Sequence, residues 1–288
     1  MPYATTKDNV KLYYEEAGSG TPILFSHEFA GDHRNWEPQM RYFARRHRCI
    51  TYSCRGYKPS DIPADPAAYS YKHWITDAVA VLDHLKIDKV HFVGLSQGGY
   101  TAVLLGVHHP NRLLSFTAAG AGSGSELDRV DEFRATFRKT ADEFEKLGSE
   151  HVVHKTYGLS PQRIAYVVKD PRGFAEFNEM FASHDAKGAA NVLRGFQAGR
   201  PSLYEFEQDI KKITVPSLIV VGDEDDPCLE PSFFLKKWIA TSGLSVFPRT
   251  GHVVNQEEPA LFNEVVADFI SRVEAGRWNA RDPRSIRK

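Results

Sequence analysis

Short apolar runs alternate with amphipathic segments along the first 120 residues of the chain. The runs are almost continuously apolar, which is typical of buried strands. The segments between them have apolar residues at helical spacing, most clearly at residues 71–85. This alternation predicts an α/β fold, with a mostly parallel central sheet covered by helices on both faces. The predicted elements are an edge strand at 10–15, buried strands at 23–26, 48–52, 89–93 and 115–119, and a further helix at 36–46.

The alternation stops after residue 121. From 122 to 204 no buried strand occurs, and aromatic and aliphatic residues recur instead at helical spacing. Two more buried strands follow, at residues 215–221 and 243–247. We therefore predict a core formed by residues 1–121 and 205–275, with helices inserted between two of its strands at 122–204. The tail, 276–288, has no apolar period and is expected to be peripheral or disordered.

The segment Gly94–Gly98 contains the first candidate for a reactive residue. It has the pattern Gly-x-Ser-x-Gly and joins a predicted strand to a predicted helix. Such a turn lifts the hydroxyl of Ser96 clear of the sheet, where a base can reach it and the new helix offers N–H groups to an oxyanion. A side chain in place of either glycine would crowd the turn. The alternative is a chance Gly/Ser turn, and the flanking strand and helix favour a nucleophile.

Two later loops contain the residues that a nucleophilic serine needs. The strand at 215–221 ends in the acidic turn Gly222–Asp226, and His252 follows the last predicted strand. Serine, acid and histidine in this order, with the last two each just past a strand, match the order in α/β-hydrolases. From about residue 10 to 273 the chain resembles this superfamily. The resemblance is to the branch with esterases, cofactor-free haloperoxidases, carbon–carbon bond hydrolases and epoxide hydrolases.

Candidate catalytic residues follow from this resemblance. It implies that Ser96 attacks an electrophilic carbonyl and that His252 is the base that activates it. The family pattern of a glycine, two residues and then the aspartate selects Asp225 as the third member. Asp226 is the second choice for this role, with capping of the next helix as its alternative. For Asp223 the alternative is binding to loop N–H groups.

The resemblance also implies two backbone N–H donors for the oxyanion. One is the N–H of Gln97, directly after the nucleophile, and the other, by position, is the N–H of Phe29. Relatives usually have a glycine where this chain has Glu28. Two interpretations of Glu28 are open: an exposed side chain on a slightly different turn, or a carboxylate that restrains His27 or Arg55.

By the same resemblance, residues 122–204 form a cap over the nucleophile. Most of its aromatic side chains are expected to form the cap's own core, and a minority to face the substrate in an apolar pocket. His151 and His154 lack a nearby third ligand and are assigned to a solvated helix face. We therefore expect no metal ion and no cofactor. The candidates for lining the substrate pocket are Glu28, Phe181, His184 and Arg194.

Composition narrows the classes of partner. Of the 288 residues, 42% are hydrophobic and 25% are charged, and the formal net charge is −1. This balance gives no electrostatic reason to expect binding to nucleic acid or to an anionic membrane. No apolar run is long enough to span a bilayer, and the first residues lack the apolar region of a secretory signal. The three cysteines are interpreted as reduced thiols. We expect a cytoplasmic protein with a small-molecule substrate, and a homodimer is one option.

Three functions are compared. The leading hypothesis is a serine hydrolase that cleaves a small-to-medium, largely apolar ester through an acyl-enzyme on Ser96. The second is hydrolysis of a carbon–carbon bond in an aromatic ring-cleavage product by the same three residues. The third, from another class, is a receptor that binds a ligand in an α/β-hydrolase pocket. Epoxide hydrolysis and dehalogenation are disfavoured, because relatives with those activities have an aspartate at the position of Ser96.

Overall fold

One sheet organises the part of the chain that the computed structural model describes, residues 2–285. The eight strands found there lie in the order β1-β2-β4-β3-β5-β6-β7-β8. The pairs β1–β2 and β2–β4 are antiparallel, and the remaining pairs are parallel. The strands are β1 (Tyr3–Thr5), β2 (Lys11–Ala17), β3 (Pro22–Ser26), β4 (Arg48–Tyr52), β5 (Val90–Leu95), β6 (Leu113–Ala119), β7 (Ser217–Gly222) and β8 (Ser242–Phe247).

Helices surround the sheet. The helices between or after core strands are α1 (Glu37–Phe43), α2 (Tyr71–His84), α3 (Gln97–His108), α9 (Glu207–Ile210), α10 (Asp226–Trp238), α11 (Val254–Glu257) and α12 (Pro259–Glu274). The helices of the insertion are α4 (Val130–Leu147), α5 (Ser149–Lys155), α6 (Ile164–Lys169), α7 (Pro171–Ala182) and α8 (Ala186–Val192). Helix α1 packs against α12, and α2 packs against α3. Within residues 2–285, no helix is both long enough and apolar enough to cross a membrane.

The parallel strands bring four loops to one edge of the sheet. Strands β5 and β7 are buried along their whole length, as expected for nearly continuous apolar runs. Because neighbouring parallel strands run in the same direction, the loops after β3, β5, β7 and β8 all leave at the carboxyl edge. These loops contain the oxyanion segment, Ser96, Asp225 and His252.

The predicted fold class is confirmed, with one correction at the edge of the sheet. The run at residues 10–15 was expected to be an edge strand. It forms β2, which lies between β4 and the three-residue strand β1. A strand this short contains too few positions to show alternation in the sequence, so β1 was missed.

The insertion between β6 and β7 consists of helices α4–α8 and short irregular turns. Phe144 of α4 and Phe181 of α7 are buried where these helices meet, with their ring centroids 6.0 Å apart. A π-helical turn at Leu193–Gln197 anchors the insertion to the core. There the ring of Phe196 lies 5.0 Å from that of Trp74 in α2. The aromatic residues at helical spacing therefore serve mainly as the interior of the cap.

The tail is attached to the core by one aromatic side chain. Trp278 packs edge-on against Phe269 of α12, with ring centroids 4.6 Å apart, and its indole N–H donates to the carbonyl of Thr241. Trp278 is half-buried and the other described residues of the tail are exposed, so a single tryptophan holds a peripheral segment that has no apolar period. Residues 286–288 lie outside the described residues.

Candidate active site

Ser96 stands at a tight turn between β5 and α3. Its φ of 55° lies in the left-handed region, a costly conformation for a residue with a side chain. The N–H of Ser96 donates to the carbonyl of Ala119 in β6, which ties the turn to the sheet. A Cβ on Gly94 would overlap the carbonyl of Gly98, and one on Gly98 would overlap that of Ser26. Both glycines are therefore required by close backbone approach, as the sequence predicts.

His252 and Asp225 form a buried hydrogen-bonded pair. Nδ1 of His252 lies 2.7 Å from Oδ2 of Asp225, which assigns the ring proton to Nδ1 and leaves Nε2 free to accept. Burial lowers the pKa of His252, but the adjacent carboxylate outweighs burial and raises that pKa above its usual value. The backbone N–H of His252 donates to the carbonyl of Gln162 in the cap. His252 and Ser96 line the same cavity.

The three aspartates of the acidic turn lie in different environments. Asp225 is fully buried, whereas Asp223 and Asp226 are exposed. Asp223 accepts the N–H of Thr250, so its alternative interpretation is confirmed. Asp226 begins α10, and Asp225 precedes it at the N-cap position without a side-chain hydrogen bond to the helix, so the prediction that Asp226 caps this helix is wrong.

Asp225→Asn is expected to lower kcat by about 10⁴-fold, the loss typical when the aspartate of such a triad becomes an amide. Asp223→Asn and Asp226→Asn should have much smaller effects, because neither side chain contacts His252. The amide also removes the charge that raises the pKa of His252, so the pH at which activity is half-maximal should fall. Measuring kcat against pH for the three variants tests this, and a larger loss in Asp226→Asn would contradict the assignment.

Two backbone N–H groups near the turn are available to bind an anion. Those of Gln97, the first residue of α3, and Phe29 donate to no other group within residues 2–285. The loop of Phe29 is held by His27, whose Nδ1 donates to the carbonyl of Glu28 at 2.6 Å. Nε2 of the same ring accepts the N–H of Cys54. His27 is thus a structural residue of the predicted oxyanion loop.

Both sequence-based interpretations of Glu28 are wrong. The side chain is only 1% exposed, and its Oε2 lies 3.1 Å from Nη2 of Arg163 in the cap. In the described residues its carboxylate makes no hydrogen bond to His27, whose ring bonds to the Glu28 backbone carbonyl, and Arg55 pairs instead with Asp77 at 2.6 Å. Glu28 therefore links the loop after β3 to the cap through a buried ion pair.

Glu28→Gln is expected to lower the free energy of unfolding by about 3–5 kcal/mol, because it leaves Arg163 charged and buried without a partner. The double variant Glu28→Gln/Arg163→Met should regain most of this loss, since it removes both charges. Chemical denaturation of the single and double variants measures the coupling. Arg163→Met is the second single variant. If the losses of unfolding free energy in the two single variants simply add in the double variant, the pair does not act as a unit.

The cavity at Ser96 is small. It offers about 20 Å³ of space, enough for about one water molecule. Glu28, Phe29, Ser96 and His252 line it from the core. From the cap it is lined by Phe133, Phe137, Tyr157, Gln162, Gln197 and Arg200. Charged and amide side chains share the wall with aromatic rings, so this cavity is more polar than the apolar pocket expected.

Three of the four pocket candidates lie away from this cavity. Phe181 is buried inside the cap and packs edge-on against Phe29, with ring centroids 5.7 Å apart. Nε2 of His184 lies 3.6 Å from Asp32 in a buried contact between cap and core. Arg194 pairs with acidic side chains of α4 at the cap surface. Helical spacing indicates that such positions are buried but does not show what they face, and only Glu28 lines the cavity.

Sequence reasoning selected neither Arg163 nor Arg200. Arg163 contacts Glu28 across 135 positions of the chain, and no local spacing rule connects such residues. Arg200 reaches the cavity because the chain turns back to the core after the π-helical turn. No signal in the sequence distinguishes these arginines from the exposed arginines of the cap.

The described residues contain one group of three side chains that could in principle hold a metal: Asp225, Cys228 and His252. The Cys228 thiol is buried, which raises its pKa well above the usual value and keeps it protonated. Nδ1 of His252 is already bonded to Asp225. The donor set therefore suits a histidine–carboxylate pair better than a metal centre.

A family comparison agrees with this geometry. The sequence profile of the alpha/beta hydrolase fold matches residues 21–259, most of the chain and all four loops at the carboxyl edge. The chain belongs to this family. It is therefore a hydrolase, and the predicted fold and general activity are confirmed.

Relatives of this α/β hydrolase differ in their substrates. It is 26% identical to 3-oxoadipate enol-lactonase 1 of Acinetobacter baylyi, covering 88% of this chain and 89% of the relative. It is 27% identical to 2-hydroxymuconate semialdehyde hydrolase of a Pseudomonas species, covering 92% of each. The solved enol-lactonase of Burkholderia xenovorans superposes with a TM-score of 0.80 at 22% identity, covering 94% of this chain and 100% of that one.

Proposed function

We propose that this hydrolase cleaves a small-to-medium carboxylic ester or lactone through an acyl-enzyme on Ser96. The observation that carries the proposal is the buried His252–Asp225 pair, whose histidine shares a small cavity with a serine held at a strained turn. A strained serine next to a polarised histidine is the arrangement of nucleophilic acyl transfer. The lactone in the name of one relative supports this class of substrate.

Acylation begins when Nε2 of His252 takes the proton of the Ser96 hydroxyl. The serine oxygen attacks the substrate carbonyl, and the resulting oxyanion accepts hydrogen bonds from the N–H groups of Phe29 and Gln97. Asp225 stabilises the imidazolium formed at this point. His252 then gives its proton to the leaving alcohol, which completes the acyl-enzyme.

Deacylation repeats these steps with water as the nucleophile. The cavity has room for about one water molecule, and His252 activates that water by taking its proton. The displaced serine oxygen regains a proton from the same ring.

Substrate binding requires the cap to move. An ester needs more space than the roughly 20 Å³ of this cavity. Phe133, Phe137 and Tyr157 also line a second cavity of about 300 Å³ on the outer side. Displacement of these three rings would join the two cavities into one binding site and open a route from solvent.

Hydrolysis of a carbon–carbon bond is the second candidate, since one relative is named as a 2-hydroxymuconate semialdehyde hydrolase. The same serine, histidine and aspartate would serve both reactions. A panel of 4-nitrophenyl esters of increasing acyl length, assayed beside one ring-cleavage dienoate, separates the two candidates. The proposal expects turnover of the esters with a rapid initial release of one equivalent of nitrophenol per active site, as the acyl-enzyme forms. Turnover of the dienoate alone favours the second candidate, and no turnover of either favours a receptor.

A cytoplasmic location and a small-molecule substrate belong to the same proposal. The three cysteines of the chain are buried and unpaired, which suits a reducing compartment. The formal net charge of −1 supports a small molecule rather than a polyanion as the partner.

A further inference from the structure

Arg200 places a buried positive charge on the wall of the cavity that contains Ser96. The residue is 7% exposed and follows the π-helical turn at the end of the cap. Its Nη2 donates to the carbonyl of Ser123 at 2.7 Å, and its Nε has no partner in the described structure. A guanidinium has five N–H donors, so most of this group's capacity is unused by the protein.

Within residues 2–285 no carboxylate forms an ion pair with Arg200, in contrast to the other two buried arginines. Arg55 pairs with Asp77 at 2.6 Å, and Arg163 pairs with Glu28 at 3.1 Å. Arg200 is instead surrounded by aromatic rings, with its guanidinium carbon 4.7 Å from the ring centre of Tyr100. These rings hold the group in place but leave its charge uncompensated.

Arg200 has no direct partner of opposite charge at the cavity. The carboxylate of Glu28 pairs with Arg163, and that of Asp225 accepts the Nδ1 proton of the neutral His252 ring. Among the described side chains that line the cavity, no carboxylate forms an ion pair with Arg200. A buried charge without a partner is costly, and a carboxylate supplied by a ligand would remove this cost while accepting hydrogen bonds in the geometry of the guanidinium fork.

We propose that Arg200 binds a carboxylate group of the substrate, so that the preferred esters or lactones carry a free acid. The proposal rests on the function proposed above and names its substrate class. It replaces the largely apolar ester expected from the sequence. The carboxylate can belong to the acyl part or to the alcohol part of the ester. In the first case Arg200 selects the acyl group, and in the second it selects the leaving alcohol.

Two matched pairs of esters test the proposal. For the acyl part, 4-nitrophenyl hydrogen adipate is compared with 4-nitrophenyl hexanoate. For the alcohol part, the butyrate ester of 4-hydroxybenzoate is compared with that of 4-hydroxybenzamide. The wild type should show a higher kcat/KM for the acid in at least one pair, and that pair identifies the source of the carboxylate.

In Arg200→Gln, kcat/KM for the preferred acid should fall by about 10–100-fold, the usual effect of losing a charge-assisted hydrogen bond. The neutral ester of the same pair should lose much less, so the ratio of kcat/KM for the acid to that for the neutral ester should fall by about tenfold or more. Arg200→Lys should retain part of the preference, because it keeps the charge but loses the planar fork. Arg194→Gln is the matched control, since it removes a cap arginine that lies at the surface and does not line the cavity.

A neutral fluorophosphonate that labels Ser96 shows whether Arg200→Gln is folded and active. If this variant does not fold, inhibition of the wild type by adipate, compared with neutral adipamide, replaces it, and stronger inhibition by the diacid is expected. Equal losses for acid and neutral esters in a folded variant, or a wild-type preference for the neutral member of both pairs, would overturn the proposal. If Ser96→Ala keeps its turnover, the proposed function itself fails, which is a separate outcome.

Discussion

Ser96→Ala is expected to lower kcat for ester hydrolysis by about 10⁴–10⁶-fold, because it removes the atom that forms the acyl-enzyme. What remains should be the contribution of the oxyanion donors and of binding, about 10³-fold over the uncatalysed reaction. Alanine is smaller than serine and fits the same turn, so the fold should persist. Steady-state kinetics, with thermal unfolding as the control for folding, measure the effect. A variant that hydrolyses esters at nearly the wild-type rate would rule out Ser96 as the nucleophile.

His252→Ala is expected to be as damaging as Ser96→Ala, and the double variant to be no worse than either single one. A serine without its base is a poor nucleophile, and a base without the serine has nothing to activate, so the two side chains act as one unit. The three variants are compared by kcat with the same ester. Losses that multiply in the double variant would show that the residues act independently.

The positions of the catalytic candidates could be predicted because their signals are local. The turn around Ser96 is fixed by two glycines within five residues, and a side chain at either one would overlap a backbone carbonyl. Asp225 and His252 each follow a buried strand that apolar continuity identifies. Since parallel strands end at one edge of the sheet, finding the strands was enough to bring these loops together.

The interior of the cavity could not be predicted, because it depends on how the cap packs against the core. No pattern in the sequence indicates that Arg163 pairs with Glu28 or that Arg200 lines the same cavity as Ser96. Helical spacing placed Phe181 correctly among buried residues, but it could not show that the ring packs within the cap and against Phe29. A periodic pattern identifies a buried face and leaves its partner unspecified.

The tail illustrates the same limit at the surface. Its arginines and lack of period resemble a solvated segment, yet Trp278 packs against Phe269 and bonds to Thr241. One large aromatic side chain with a polar group can fix several residues of backbone. A periodic pattern reflects many positions, so it does not reveal a segment that is held by a single side chain.

Labelling with a fluorophosphonate tests the central claim most directly, because the reagent reacts with a serine only when a neighbouring base activates it. Wild-type protein and His252→Ala are treated in parallel, and the modified residue is located by peptide mass spectrometry. The account predicts one adduct per wild-type chain, located on Ser96, and a labelling rate at least 10³-fold lower in His252→Ala. An adduct on another serine, or equal labelling of both proteins, would contradict it.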